Sequence, residues 1–379
     1  MLGIIELQEV FSLWKKNEWE KTVHFSISFA AKNQKQPLIF LGSSSIVHYL
    51  GKRVFSDEEL FYLHGLQGSQ GKLIFPDLFI KFLSSLTYDL KIKAPKEGSF
   101  FFPNEPIIKV VGKAAVLPFF KKWIQNVLPR QIQVATEVEK LASFIAPGVI
   151  CIENSFNCGK EHFGGDEKSG YIGGAVATKN LSAAKMYHIP IFFPEENAPF
   201  VFLDNTDPLF NEKLGSIEEG APLFLKGHVT KELLEKVSFY GKTIKGVLLD
   251  LRKVQDGEIA SRFHGCKELH ILDEEFQIYR FFYKGLALGD VLGTFEEMEK
   301  KKTFFGKYWG ALNRVELLED LSFYRDEPLS LIRNRVVKSM QQLPCKYRGE
   351  GERSFYPIRI LKKKGVQESE ESTSKTHCA

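Results

Sequence analysis

The chain is predicted to be an α/β protein built around an irregular barrel of parallel strands, with an additional α+β domain. Four short apolar runs in its middle each end in one acid. Val149-Ile150-Cys151-Ile152 leads to Glu153, Phe200-Val201-Phe202-Leu203 to Asp204, Gly246-Val247-Leu248-Leu249 to Asp250, and Leu269-His270-Ile271-Leu272 to Asp273. Each run has the β-branched or aromatic character and polar flanks of a buried strand. Helical patterns separate most of them. Parallel strands with helical crossovers gather their C-terminal ends on one rim, where β/α barrels place their active sites. The acids therefore mark a candidate site.

In chain order, residues 4–15 have helical periodicity, with Ile4, Leu7, Val10, Phe11 and Trp14 on one face. Strands are predicted at 22–29 and 38–41, and helices at 57–66, with Ser56 as N-cap, and at 76–86. Short strands at 90–93, 99–102 and 106–111 complete an α+β domain over residues 1–112. Residues 114–144 read as helix broken at Pro118 and Pro129. The barrel domain is assigned to 113–300. Within it, 164–174 reads as a Gly-rich loop, 181–188 as a helix and 189–193 as a strand. Residues 194–222 read as long loop around the strand ending at Asp204. A C-terminal segment, 301–361, carries a helix at 328–342 and is expected to pack back on the N-terminal domain. The tail, 362–379, opens on a basic triplet, continues in Ser, Glu and Thr, and reads as disordered.

A length of 379 residues accommodates two domains, and the 33 Phe fill cores more readily than they stack on ligands. The net charge of +4 gives no argument for nucleic acid or a membrane surface but leaves anionic substrates welcome. Five scattered Cys suit reduced thiols in a cytoplasm better than a disulfide framework. Glu6 and Glu9 interrupt the apolar start, unlike a signal peptide, and no run is long enough to span a bilayer. Cys151, Cys158 and His162 fit no common zinc spacing, so no metal site is assigned to them, and Cys158 with His162 is no stronger as a thiol nucleophile and base.

Three stretches carry a resemblance. Gly170-Tyr171-Ile172-Gly173-Gly174-Ala175-Val176-Ala177-Thr178-Lys179-Asn180, continuing through Ala183, Lys185, Ile189 and Pro190, resembles the Gly-Gly, Gly-Thr-Ser-Asn and Gly-Ile-Pro run of the nicotinate phosphoribosyltransferase family. Phe102-Pro103-Asn104-Glu105-Pro106 is similar to that family's Phe-Pro-Asn-Glu-Pro. The spacing of Leu343-Pro344, Tyr347-Arg348 and Tyr356-Pro357 is similar to its C-terminal signature. The resemblance runs in order from about residue 20 to 361. It implies a type II phosphoribosyltransferase-like irregular β/α barrel beside an α+β domain. It also implies transfer of a pyridine base to phosphoribosyl pyrophosphate with release of pyrophosphate, in NAD biosynthesis, by a homodimer. The metal is then Mg2+, arriving with phosphoribosyl pyrophosphate, and the partners are small molecules.

The resemblance assigns roles. Glu153, Asp204 and Asp250 fall on catalytic carboxylates, with Asp207 beside them. An acid at a strand end caps loops when it stands alone; three in register point to a site. Thr178, Lys179, Asn180, Lys160 and Tyr171 are the substrate-binding candidates, and Gly289, Gly293 and Thr294 the phosphate-binding ones. The last three are equally read as a strand end and turn. The family's Arg pair is replaced by Asn157 and Cys158, which form no charged fork, and Lys160 or Lys179 is the available positive charge. Asn197 stands at the position of the phospho-accepting His, which argues against ATP coupling by that route. Ile5 stands where the family has an aromatic ring, so Phe156 or Tyr171 would have to stack on the base. Two functional readings follow: a diverged pyridine phosphoribosyltransferase, or a catalytically inactive homologue acting as a binding or assembly protein.

Overall fold

The computed structural model describes residues 3–29, 36–103, 105–154, 165–193, 201–218, 220–254, 266–270, 277–294, 298, 312–348 and 356–360. Helix α1 (Ile4–Lys15) precedes β1 (Thr22–Phe29) and β2 (Leu38–Ile39), followed by α2 (Ser43–Leu50), α3 (Asp57–His64) and α4 (Asp77–Ser85). Helix α3 starts where Ser56 predicts, on a capping box: the Ser56 hydroxyl accepts from Glu59 N–H at 3.1 Å, and the Glu59 carboxylate from Ser56 N–H at 2.9 Å. Then come β3 (Leu90–Ala94), β4 (Phe100–Phe101) and β5 (Pro106–Lys113). Strands β1, β5 and β3 run antiparallel in one sheet, and β2 pairs with β4.

Helix α5 (Leu117–Ile145) is continuous over 29 residues, through both predicted breaks. Pro118 sits in the first turn, where its missing N–H costs no intrahelical bond, and Pro129 is carried inside by packing on both sides. Phe120, Ile124, Leu128 and Ile132 pack on the N-terminal sheet, while Val134, Val138, Leu141 and Ile145 pack on a second sheet. One helix thus joins two cores.

The second sheet is built by alternation: β6 (Val149–Asn154), α6 (Gly165–Gly173), β7 (Ala177–Thr178), α7 (Leu181–Tyr187), β8 (Val201–Asp204), α8 (Phe210–Ser216), β9 (Leu223–Gly227), α9 (Lys231–Phe239) and β10 (Ile244–Asp250). Its order is β7-β6-β10-β9-β8, all parallel, with Ile191 bridged to Thr178 beyond β7. First strand pairs with last, which is the order of a barrel opened at one seam, between Ile191 and β8. The rings show the curvature. Phe192 and Phe202, from the two sides of the seam, both pack on Phe224, with centroids 6.4 and 5.5 Å away.

The predicted Gly-rich loop is helix α6. Its glycines serve packing instead: a Cβ on Gly173 would lie 2.3 Å from the Ala135 carbonyl oxygen, so α5 and α6 touch backbone to backbone. Residues 251–254 form a short 3-10 turn after β10.

Beyond this turn the described strands leave the barrel, although 113–300 is expected to belong to it. Strand β11 (Cys266–His270) holds part of the fourth predicted run, yet pairs antiparallel with β1 in the N-terminal sheet. Asp273 lies outside the described residues. Strands β12 (Gln277–Tyr283) and β13 (Leu286–Gly293) form a hairpin. Its two-residue turn, Lys284-Gly285, has positive φ at both positions (48° and 80°), the geometry that matches strand twist. Strand β14 (Asn313–Glu316) extends that sheet, and β15 (Glu319–Asp320) pairs with β3. Helix α10 (Leu329–Gln342) and β16 (Ile358–Ile360), the latter parallel to β13, complete the described chain. Among the described residues no helix is long and apolar enough to cross a membrane.

Candidate active site

Alternation along a strand sorts the barrel strands into two faces. Ile150, Ile152, Leu203, Leu223, Leu225, Val247 and Leu249 face outward onto α5, α8 and α9. Cys151, Ala177, Phe224 and Leu248 cluster on the inner face, where Phe224 lies over Gly246. Two residues further along the same inner face, at the C-terminal ends, stand Glu153, Asp204, Lys226 and Asp250. The barrel therefore carries a charged ring directly above an apolar, aromatic layer.

Glu153 is the centre of that ring. Its side chain is 10 % exposed, and one oxygen, Oε1, accepts from Lys179 Nζ at 3.0 Å and pairs with Lys226 Nζ at 3.2 Å. Lys179 comes from the turn after β7, placed by its N–H donating to the Ile152 carbonyl at 2.9 Å. Lys226 reaches across β10 from β9. The turn behind it is fixed by Gly227 at φ 106°, where a Cβ would lie 2.3 Å from Asn205 Oδ1. Asn205 in turn accepts from His228 N–H at 3.2 Å and donates to the His228 carbonyl, tying the ends of β8 and β9 together.

Asp250 is held by its own neighbour. Arg252 donates to both carboxylate oxygens, Nε at 2.9 Å and Nη2 at 2.7 Å, and Arg252 N–H adds a contact at 3.1 Å. That bidentate partner, with Glu153 further off, raises the guanidinium pKa above its ordinary value. Asp204 Oδ1 accepts from Thr206 N–H at 2.9 Å and from the Thr206 hydroxyl at 2.6 Å. Asp207 pairs with Lys213 on α8 and accepts from Leu209 N–H, and both hold its carboxyl below the usual range. Beneath Glu153, burial pushes the Cys151 thiol up to about 11, against the pull of Lys179, so it is no nucleophile at neutral pH.

The structure brings together Glu153, Asp204, Asp250 and Lys179 of the sequence-predicted set. Thr178 and Asn180 support rather than face the mouth. Thr178 Oγ1 accepts from Asn180 N–H at 3.1 Å, and Asn180 caps α7 by accepting from Ser182 and Ala183 N–H. Tyr171 lies on α6 beneath the Arg333 guanidinium, 5.0 Å from its ring centroid, while Arg333 donates to the Gly174 and Ala175 carbonyls. Gly289, Gly293 and Thr294 belong to a different sheet from the rim strands or directly follow it. Gly289 and Gly293 sit in the β12–β13 hairpin opposite Phe281 and Gln277, with Thr294 directly after it. Lys160, Phe156, Asn157, Cys158, His162 and Asn197 lie outside the described residues.

Sequence reasoning missed Lys226 and Arg252. A search for apolar runs ending in an acid passes over Leu223-Phe224-Leu225, which ends in a base. The same run, read without regard to the sign of the closing charge, was there to find. Among the described residues no three His, Cys, Asp or Glu side chains are arranged to hold a metal unaided. Magnesium characteristically needs only one or two carboxylates when phosphate oxygens supply the rest, and the rim acids fit that demand.

An open parallel barrel with a charged mouth, beside an antiparallel domain, defines a type II phosphoribosyltransferase-like fold. Human nicotinic acid phosphoribosyltransferase has this fold: the two structures superpose with a TM-score of 0.69 over 96 % of this chain and 98 % of that one, at 11 % identity. In sequence, nicotinate phosphoribosyltransferase pncB2 of Mycobacterium tuberculosis is 28 % identical over 156 residues, 40 % of this chain and 32 % of that protein. The Dictyostelium discoideum nicotinate phosphoribosyltransferase is 23 % identical over 278 residues, 68 % of this chain and 45 % of that protein. The matched regions thus span from a third to less than half of these relatives' length. No family model matches the chain. Over part of its length the chain is thus similar in sequence to proteins named nicotinate phosphoribosyltransferase, and it shares the fold of the human one.

Proposed function

We propose that the barrel mouth transfers a pyridine base to phosphoribosyl pyrophosphate, giving the mononucleotide and pyrophosphate. The observation that carries this reading is Glu153 held between Lys179 and Lys226, with Asp204 and the Asp250–Arg252 pair on neighbouring strand ends. Displacement at a ribose carbon bearing pyrophosphate passes through a cation-like sugar and expels a highly charged group. Carboxylates stabilise the first and ammonium or guanidinium groups the second, by charges already in place. The chain thus keeps cations at the mouth although the family's Arg pair is replaced. Magnesium enters with the diphosphate, and the rim acids Asp204 and Asp250 are the protein groups that would hold it. Bound there, it would supply positive charge against the departing pyrophosphate. ATP coupling through a phosphohistidine is not part of the reading, given Asn197. A homodimer is, and light scattering of the purified protein tests it.

Protein supplied with phosphoribosyl pyrophosphate, magnesium and nicotinate or nicotinamide is expected to release pyrophosphate. No release with either base, with or without ATP, overturns the reading. A second reading, a binding protein without turnover, draws support from Asp250 being occupied by Arg252 and from Gly289 and Gly293 being paired in a separate antiparallel hairpin. Magnesium-dependent thermal stabilisation by phosphoribosyl pyrophosphate with no pyrophosphate released is its signature.

A further inference from the structure

We propose that Arg130, on the long helix α5, is a positioning residue for the barrel mouth: its guanidinium fixes the turn between Asp250 and Arg252 against α6. The inference rests on the transfer reading of that mouth. Arg130 donates from Nε to Asp166 Oδ1 at 3.0 Å and from Nη2 to Asp166 Oδ2 at 2.6 Å. Nη2 also donates to the Leu251 carbonyl at 2.8 Å. One planar group therefore joins α5, the first turn of α6 and the chain just past β10. Leu251 stands between the two charged partners of the rim. Its side chain is buried in the barrel's outer core and its carbonyl is held by Arg130, so the backbone there is gripped from two directions. Asp250 on one side then meets Arg252 on the other, whose N–H, Nε and Nη2 all reach the same carboxylate. The clasp also bears on the other half of the ring, because α6 leads through β7 to Lys179, the partner of Glu153.

Stability does not account for this guanidinium. The pair is buried, with 11 % of the Arg130 side chain and 6 % of the Asp166 side chain exposed, and Arg130 Nη1 is enclosed without a hydrogen-bond partner. Such a pair is commonly matched or bettered in stability by apolar residues of similar volume, and an enclosed donor left unbonded adds to its cost. Apolar residues, however, have nothing to offer the Leu251 carbonyl. A forked donor grips a carboxylate with one edge and has N–H to spare for a carbonyl beside it. What the charge adds is the place of the turn, and exact placement of charged groups is what a displacement site demands.

Arg130→Met alone leaves the buried Asp166 without this cation and is expected to lower the melting temperature. The deciding variant is therefore Arg130→Met/Asp166→Leu, which replaces the whole pair. It should melt close to the wild type yet release pyrophosphate with kcat lowered by about 10- to 100-fold, while KM for phosphoribosyl pyrophosphate changes little. Added to Arg252→Met it should cost little further, since both act through one carboxylate. Amide hydrogen exchange over residues 250–254 needs no turnover and should speed up by about ten-fold in the same variant, with exchange in α9 unaltered. Arg130→Lys, which keeps the charge and loses the fork, carries the same expectations and serves if the double variant does not fold. Wild-type kcat in these variants, an equal loss with and without Arg252, or unaltered exchange over 250–254 overturns the proposal. A wild type that releases no pyrophosphate sinks the transfer reading instead, and the exchange measurement then decides by itself whether Arg130 holds the turn.

Discussion

At the scale of single residues, one carboxylate oxygen shared by two lysines is the central feature of the mouth. Lys226 is 41 % exposed and Lys179 32 %, so each contact with Glu153 contributes little to stability, about 0–1 kcal/mol. Their value lies in the field they set up where an anion arrives. Lys226→Met is therefore expected to leave the melting temperature nearly unchanged and to lower kcat/KM for pyrophosphate release by about 10- to 100-fold, a loss of about 1.4–2.7 kcal/mol of transition-state stabilisation. Glu153→Gln should reduce turnover at least as far while leaving the fold intact. Equal turnover in both variants and the wild type would remove the mouth from the mechanism. The three acids were legible in the sequence because each closes an apolar run. Lys226 was equally placed but carried the wrong sign for the pattern sought. Arg252 was hidden by lying past the strand end, where only the chain's turn brings it back onto Asp250.

At the scale of elements, α6 shows what composition conceals. Its glycines read as loop because glycine is the weakest helix former after proline, and the fold uses them for close approach instead. The two inner ones differ in what they meet. A Cβ on Gly173 would lie 2.3 Å from the Ala135 carbonyl oxygen, which is backbone and cannot yield, whereas one on Gly170 would lie 2.8 Å from the flexible end of Ile152, Cδ1. An alanine gains about 1 kcal/mol of helix propensity at either position. At Gly173 the clash outweighs it, so Gly173→Ala should destabilise by about 1–3 kcal/mol. Gly170→Ala should fall within about 1 kcal/mol of the wild type, because Ile152 can repack. Urea midpoints of the two variants check the contrast, and equal effects would mean that α5 and α6 do not touch as described. The hairpin of β12 and β13 is the mirror case. Gly289 and Gly293 read equally as phosphate loop or as strand end and turn, and only the pairing partners Phe281 and Gln277, absent from local sequence, set them in a strand of the hairpin that Lys284 and Gly285 close with positive φ.

At the scale of the whole molecule, family-like stretches far apart in sequence meet away from the barrel mouth, in a buried knot of charge. Arg280 on β12 donates to both oxygens of Asp290 on β13, at 2.9 and 2.7 Å, and to the Phe100 carbonyl at 2.9 Å. Its guanidinium lies 3.7 Å from the Phe100 ring centroid. Tyr356 donates to Asp290 at 2.9 Å and stacks on Phe102, while Glu105 accepts from Phe102 N–H at 2.7 Å. The Phe102–Pro106 and Tyr356-Pro357 motifs therefore hold the C-terminal segment to the N-terminal domain. Their resemblance to family motifs does not by itself reveal that role. Two carboxyls and one guanidinium share this interior. Burial, and next its carboxyl neighbour Asp290, push the Glu105 carboxyl well above its ordinary value, which favours its protonated form in the fold. A carboxyl whose folded pKa is raised binds its proton more tightly in the native state than in the unfolded chain. Its contribution is complete below the unfolded value and is lost as pH rises through the folded one. Wild-type stability is thus expected to decline as pH rises above the range in which a free Glu ionises. Glu105→Gln, whose amide still accepts from Phe102 and has N–H to give Asp290, should remove that decline while matching the wild type near its acid end. Arg280→Met, which leaves Asp290 buried without its cation, should cost about 3–5 kcal/mol. Urea denaturation across the pH range decides: a wild-type slope that Glu105→Gln leaves unaltered would assign the proton to another group and break this account of the knot.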